Sequence, residues 1–285
     1  MIKLSNGHRL EYVAASGALA YDGCGWPWEK PLQWIGLLDP NLFTIVTRTI
    51  TRKARKGNFR WLWPLGTIRF LDKGIVNSMG LTNPGLEWWR INVGAKIKSK
   101  GLSLIPSIWG DPGDLSAMAM ILQDYDIVGL ELNASCPNVG DDLAHNTNKI
   151  INNCERIKRV CKLPLILKLS VANDCLKIAP AVEGCVEAIS INSVPWHVAF
   201  PEKESPLAYF GGGGVSGKVA QEYTWRLVED LVNASDIPVI GPSIWDYEDI
   251  QQVRSLGAQA ISFGSIFLRY PWRPTRIVHK DQKQQ

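Results

Sequence analysis

Several things this 285-residue sequence lacks narrow it from the start. No stretch approaches the length of a membrane span. The opening Met1-Ile2-Lys3-Leu4-Ser5-Asn6-Gly7-His8 breaks its apolar pattern before a signal-peptide core could form. A cytoplasmic protein with no membrane partner is expected. The six cysteines, Cys24, Cys136, Cys154, Cys161, Cys175 and Cys185, include no short paired spacing that would suggest zinc or an iron-sulfur cluster. In a reducing compartment they are free thiols, and five of them need only packing roles. There is no nicotinamide-binding motif. No internal repeat, low-complexity tract or Ser/Gly linker interrupts the chain, so a single domain over 1–285 is expected. Charge is also unremarkable: the net +4 comes mostly from two basic stretches, Arg48 to Arg60 and Arg269 to Lys283. No recognition motif accompanies the first, which reads as a mobile, solvated loop and not as a nucleic-acid surface.

What is present is a chain 46% hydrophobic, enough for one barrel-sized core. Tryptophan is abundant: Trp26, Trp28, Trp34, Trp61, Trp63, Trp88 and Trp89 crowd the first third, as an aromatic interface or a lined pocket entrance would require. Asn6-Gly7 between Ile2 to Leu4 and Arg9 to Tyr12 signals a short hairpin, placed to plug the bottom of a barrel. Eight short apolar runs follow, rich in branched residues as strands buried on both faces are. They are Tyr12 to Ala15, Thr44 to Arg48, Ser103 to Ile108, Ile127 to Leu132, Leu165 to Leu169, Ala188 to Ile191, Pro238 to Ile240 and Ala260 to Phe263. Helices are expected over Gly85 to Ser99, Leu115 to Gln123, Asn148 to Cys161, Asp174 to Glu183, Lys218 to Ala234 and Tyr247 to Leu256. Asp246 would cap the last and Gly257 stop it. The segment from Thr49 to Gly85 reads as loops, and Lys280 to Gln285 as a frayed tail. Eight strands alternating with helices predict an α/β fold, a parallel (β/α)8 TIM barrel with a short N-terminal hairpin.

In such a barrel the chemistry sits where strands end. Strand one ends in Ala15-Ser16-Gly17, which lets a flat ligand approach the backbone, or is an ordinary turn. Strand two ends in Thr47-Arg48-Thr49, strand three in Trp109-Gly110. Strand four runs into Glu131-Leu132-Asn133-Ala134-Ser135-Cys136-Pro137-Asn138, a thiol among amides that offers a proton acceptor with hydrogen bonds for a planar polar substrate. Asn133 or Asn138 alone would read as a helix cap. Strand five closes on Lys168, which must either snorkel to solvent or face an electron-rich ligand. Strand six ends in Asn192-Ser193. Gly241-Pro242-Ser243 and Gly264-Ser265 end the last two, where barrels grip phosphate. The run Gly211 to Gly214 before Ser216-Gly217 would add a flexible, anion-tolerant loop or a hinge. A phosphorylated planar cofactor under a planar, imide-like substrate would use all of these groups, and flavin mononucleotide (FMN) fits best.

Two motifs are specific enough to name a relative. Asn77-Ser78-Met79-Gly80-Leu81-Thr82-Asn83-Pro84-Gly85 and the strand-four segment resemble the substrate loop and catalytic segment of the dihydroorotate dehydrogenase family, in its soluble class with a cysteine base. Lys168, Asn192-Ser193, Gly213-Gly214-Val215-Ser216-Gly217 and Gly264-Ser265 support the resemblance, which covers Ala15 to about Leu268. It implies oxidation of dihydroorotate to orotate. Cys136 would take the proton from carbon 5 while hydride leaves carbon 6 for flavin N5. Asn77, Asn133, Asn138, Asn192 and Ser193 would hold the pyrimidine, Met79, Gly80 and Leu81 would present backbone to its carboxylate, and Lys168 would stabilise the reduced flavin. Ala15, Ser16, Arg48, Lys168, Gly217, Gly241, Ser243, Gly264 and Ser265 would line the cofactor. The resemblance also implies a homodimer, with electrons passing to a soluble oxidant or to an electron-transfer subunit.

Two positions depart from the family pattern. Arg48 stands where the family usually has lysine, and Pro242-Ser243 where it usually has two glycines. Arginine is planar and larger, and proline removes an N–H donor that the Ser243 hydroxyl would have to replace. These departures keep two alternatives open: a flavoenzyme acting on another dihydropyrimidine or cyclic imide, and a barrel without cofactor that serves as a binding scaffold.

Overall fold

The computed structural model describes residues 1–58, 64–135 and 146–284, with backbone alone at 64 and 65. The hairpin is there: β1 (Ile2–Lys3) pairs antiparallel with β2 (Arg9–Leu10), and the chain turns at Gly7, whose φ of +87° is left-handed.

The barrel strands are β3 (Tyr12–Ala14), β4 (Thr44–Val46), β7 (Leu104–Ile105), β8 (Ser107–Ile108), β9 (Leu130–Asn133), β10 (Leu165–Leu169), β11 (Ala188–Ile191), β14 (Val239–Gly241) and β15 (Ala260–Phe263). They form one sheet in the order β7-β4-β3-β15-β14-β11-β10-β9-β8, and every pairing in it is parallel. The two ends of that sheet, β7 and β8, are halves of one strand interrupted at Pro106, which has no N–H to give the ladder. Counting them as one closes an eight-stranded barrel on the eight predicted runs.

Side-chain alternation sorts the barrel interior into layers. Val13, Val46, Ile105, Ile166, Ala188, Ile240 and Ala260 pack with Ile2, Leu4 and Leu10 of the hairpin, so the hairpin closes the bottom of the barrel. Two residues further along, on the same inward face, come Ser107, Lys168, Ser190 and Ser262, with Asn133 of β9 beside Lys168 and Glu131 one rung below it. The interior therefore changes from apolar to polar within one rung. Outward-facing partners such as Leu165, Leu167, Ile189 and Phe263 join the helices in the large core.

Besides the hairpin, four strands of the described residues lie outside the barrel. β5 (Ile68–Leu71), β6 (Gly74–Asn77), β12 (Val194–Pro195) and β13 (Gly214–Gly217) form an antiparallel sheet in the order β12-β13-β6-β5. The segment read as loops thus contains a hairpin. It hides from periodicity because Arg69 and Phe70 on β5 are exposed, and β12 has two residues. The glycine run is no open anion loop: Gly214 belongs to β13, and a Cβ on Gly213 (φ +84°) would sit 2.7 Å from the Asn77 carbonyl oxygen. Glycine there lets two backbones meet.

Other differences are local. The helix expected over Gly85 to Ser99 divides into Leu86–Asn92, a 3-10 turn at Gly94–Lys96, and Ile97–Lys100. Asp246 does not cap the helix Glu248–Ser255: it pairs with Lys218 and Arg273, while Asp249 accepts from the N–H groups of Trp245 and Asp246. Gly257 does follow that helix with φ +97°. The tail is no fray up to Gln282: Arg273–Gln282 is a helix whose buried Asp281 accepts both Arg254 guanidinium nitrogens and the Tyr12 hydroxyl. Nor is the basic stretch a merely solvated loop. Arg48 and Arg55 are half-buried, and Arg55 exchanges backbone hydrogen bonds with Asn83; Arg60 lies outside the described residues.

Candidate active site

Asn133, Lys168 and Ser262 of the polar rung line the floor of a cavity of about 230 Å³ at the C-terminal ends of the strands. Lys168 does not snorkel. It is 7% exposed, and its Nζ lies 3.5 Å from Oε1 of Glu131, itself 2% exposed. The second carboxylate oxygen accepts the Ser190 hydroxyl at 3.1 Å. An amide chain runs beside this pair. Asn133 Nδ2 donates to Thr49 Oγ1 (3.0 Å), which contacts Ser107 Oγ (2.9 Å). Asn133 Oδ1 accepts from the Ser135 hydroxyl and N–H, and Asn192 Nδ2 donates to Ser135 Oγ at 2.9 Å. Both amides are thus held in one orientation before a ligand arrives.

The substrate-loop segment that follows β6 is fixed by its carbonyls. Asn58 Nδ2 donates to Ser78 O, Asn58 N–H to Met79 O, Arg55 Nε to Gly80 O, Asn83 Nδ2 to Leu81 O, and both Tyr21 Oη and Arg48 to Thr82 O. Gly80 (φ +65°) and Leu81 (φ +56°) are both left-handed, so the chain coils tightly with carbonyls turned into the protein. Among the described residues the N–H groups of Met79, Gly80 and Leu81 have no acceptor, and all three residues line the cavity. Successive free N–H groups in such a coil make a concavity for an anion.

Arg48 forms the neighbouring wall. Its guanidinium carbon lies 5.5 Å from the Tyr21 ring centre and 5.8 Å from that of Trp26, and Nη2 donates to Thr82 O at 3.3 Å. The aromatic excess thus does two things. Tyr21 and Trp26 flank Arg48 of the cavity lining, while Trp28 and Trp34 are 61% and 81% exposed; Trp61 and Trp63 lie outside the described residues.

Opposite, the tips of strands seven and eight bear on the cofactor question. Ser243 adopts φ +64°, the left-handed conformation that glycine takes most easily. Its hydroxyl does not replace the proline's missing donor, because it is engaged with Thr224 Oγ1 at 3.0 Å. Backbone supplies the donors instead. Among the described residues no acceptor meets the N–H of Ser243, Gly264 or Ser265, and all three line the cavity. That donor set, with a buried cation across the cavity, fits a phosphate at one end and an electron-rich ring system over Lys168.

The structure brings together around one cavity Ala15, Ser16, Arg48, Asn77, Met79, Gly80, Leu81, Asn133, Lys168, Asn192, Ser193, Gly217, Ser243, Gly264 and Ser265. Gly241 stands behind them, with its hydrogen face against Val253 and Ala258. Cys136 and Asn138 lie outside the described residues. Of the other thiols, burial pushes Cys175 up to about 12 and raises Cys154 and Cys161, which suits packing roles. From sequence, Thr49 and Ser135 stand only as polar groups at strand tips and Glu131 only as part of the strand-four segment, while Ser107, Tyr21 and Arg55 have no role. Glu131 had a signal of its own, a charge inside an apolar strand that must find a partner. The others depend on contacts between distant segments. Among the described residues, no helix is long and apolar enough to cross a membrane, and no group of three or more His, Cys, Asp or Glu could hold a metal.

A closed (β/α)8 barrel with a polar, cation-bearing cavity at the strand ends, under an antiparallel cap, defines an α/β-barrel enzyme. The sequence profile of dihydroorotate dehydrogenase matches residues 33–280, and the chain belongs to that family. It is 31% identical over 274 residues to the catalytic subunit of dihydroorotate dehydrogenase B (NAD(+)) of Caldicellulosiruptor bescii, covering 93% of this chain and 85% of that one. It is 30% identical over 236 residues to dihydroorotate dehydrogenase A (fumarate) of Lactobacillus delbrueckii subsp. bulgaricus, covering 79% and 75%. The fold matches the ligand-free DHODH of Eimeria tenella with a TM-score of 0.69 at 16% identity, over 94% of this chain and 82% of that one.

Proposed function

We propose that this chain oxidises dihydroorotate to orotate in pyrimidine biosynthesis, with FMN held over Lys168 and Cys136 as the base. The observation that carries this reading is the N–H concavity of Met79, Gly80 and Leu81, which shares one cavity with Lys168 and the fixed amides Asn133 and Asn192. A ring bearing a carboxylate and imide edges uses each of them. The carboxylate takes the loop N–H groups with Arg48 alongside, and the amides hold the ring edge with Asn77 and Ser193. FMN supplies the hydride acceptor when bound, its phosphate on the N–H groups of Ser243, Gly264 and Ser265. Cys136, two residues beyond the anchored Asn133-Ala134, takes the carbon 5 proton, a task for which thiol pKa values can be brought toward neutrality. Lys168 holds a positive charge where negative charge develops.

The protein works in the cytoplasm as a homodimer. Its relatives include both a fumarate-type enzyme and an NAD(+)-type catalytic subunit, so the electrons leave either to a small soluble oxidant or through a second subunit.

Anaerobic titration of the purified, FMN-supplemented protein with dihydroorotate tests the reading. Bleaching of the visible flavin bands is expected, and Cys136→Ser should slow it about a hundredfold to ten-thousandfold. Bands that stay unchanged with dihydroorotate but bleach with an uncharged dihydropyrimidine would transfer the assignment to another cyclic imide. Reoxidation by fumarate without a second protein would mark the soluble route.

A further inference from the structure

We infer that Glu131 is a positioning residue for the reaction: through Lys168 it sets how strongly the site prefers the reduced over the oxidised cofactor. The inference rests on the reading that FMN lies over Lys168.

Glu131 is not on the cavity wall. It sits on the inward face of β9, opposite Ile166 of β10, and its carboxylate reaches up one rung to Lys168 Nζ, 3.5 Å from Oε1. Ser190 on β11, the register partner of Lys168, donates to Oε2 at 3.1 Å. Three adjacent strands thus hold one carboxylate beneath one ammonium. Stability alone does not account for it. Taking two charges into a barrel interior carries a desolvation cost of several kcal/mol per ion, and apolar residues of similar volume often serve a core as well or better. The layer just below, Ile166, Ala188, Ile105 and Ile240, shows that this barrel fills its interior with such residues where no charge is needed.

The pair has two consequences for a ligand above it. Its geometry fixes Nζ, because a lysine stem otherwise samples many rotamers. Its charge offsets that of the ammonium. When the substrate's two electrons arrive with the hydride, the cofactor gains negative charge, which Lys168 stabilises and Glu131 opposes. A bare buried lysine would favour the reduced form so strongly that electrons would leave slowly. With Glu131 in place, the site both accepts electrons from the substrate and releases them to the acceptor.

The test is the FMN midpoint potential of the holoprotein, together with the dissociation constants of oxidised and reduced FMN. Glu131→Gln keeps shape and hydrogen bonding but removes the charge. We expect its preference for reduced over oxidised FMN to rise about tenfold, an upward shift of about 30 mV for a two-electron couple. Glu131→Asp keeps the charge but withdraws the carboxylate from Lys168, and should shift the potential the same way by less. Should the Gln variant fail to fold, the Asp variant decides alone. A potential unchanged or lowered in the variant overturns the role, even if dihydroorotate still bleaches the flavin. A wild-type protein that takes up no FMN overturns the functional reading and the inference with it.

Discussion

Arg48 shows how one departure from a family pattern can be absorbed by its surroundings. A lysine ammonium at this point could reach an anion but could not lie against Tyr21 and Trp26 while donating to the Thr82 carbonyl. Arginine does all three, and so ties the loop that follows strand one to the substrate loop. Arg48→Lys should therefore loosen the Met79–Leu81 concavity and leave the floor of the site intact. A roughly tenfold rise in KM for dihydroorotate is expected, with kcat within about threefold, from the loss of an interaction worth about 1–2 kcal/mol. Steady-state kinetics on the variant check this, and an unchanged KM would mean that the clasp does not hold the loop. The same scale explains Ser243: the position needs a left-handed φ and a free N–H, and serine supplies both at some conformational cost.

Among the elements, the segment before the short helix Lys30–Trp34 carries a built-in pH response. Glu29 is fully buried, its Oε2 accepts the Trp26 N–H at 2.7 Å, and its Oε1 has no partner among the described residues. Burial raises its pKa from 4.5 to about 7, against the lowering effects of the Trp26 N–H and Lys30. The folded state therefore holds this proton more tightly than the unfolded chain. The stability it confers is fully present below about pH 4.5 and is lost as pH rises through about 7. Glu29→Gln should flatten that slope and make the protein more stable at pH 8 by on the order of 3 kcal/mol. Urea denaturation at pH 5 and pH 8 measures it; a wild-type slope that survives the substitution would assign the proton elsewhere. Because the Trp26 indole donates to Gly17 O and its ring faces Arg48, the Gly17 and Arg48 part of the cavity lining should loosen over the same range.

For the molecule as a whole, stability and chemistry occupy opposite ends of the barrel. Leu10, fully buried in the plug with Val13, Val46 and Ile166, is two rungs or more from the cavity. Leu10→Ala should cost about 2–5 kcal/mol of folding stability while KM and kcat below the new melting temperature stay at their wild-type values. Thermal denaturation paired with kinetics separates the two, and a fall in kcat in the folded variant would show that the plug and the site are coupled.

Much of this architecture was legible in the chain itself. Strand runs such as Leu165 to Leu169 are continuous and apolar because they are buried on both faces, and the Asn6-Gly7 turn is a local choice that packing need not decide. The strand-four segment and Lys168 could be read because they end strands whose direction was already known, and the substrate loop because its residues resemble a family motif. What the sequence could not determine are relations between segments far apart in the chain. The cap needs β6 to meet β13, Glu131 needs Ser190 and Lys168 on neighbouring strands, and Thr82 needs Tyr21 and Arg48. Gly213 looked like a flexible loop because its spatial neighbour, the Asn77 carbonyl, is 136 residues away in sequence. Local propensity and period-two alternation set the strands and their inward faces. Only closure of the barrel, which makes neighbours of strands that never meet in the sequence, decided which inward-facing groups became a site.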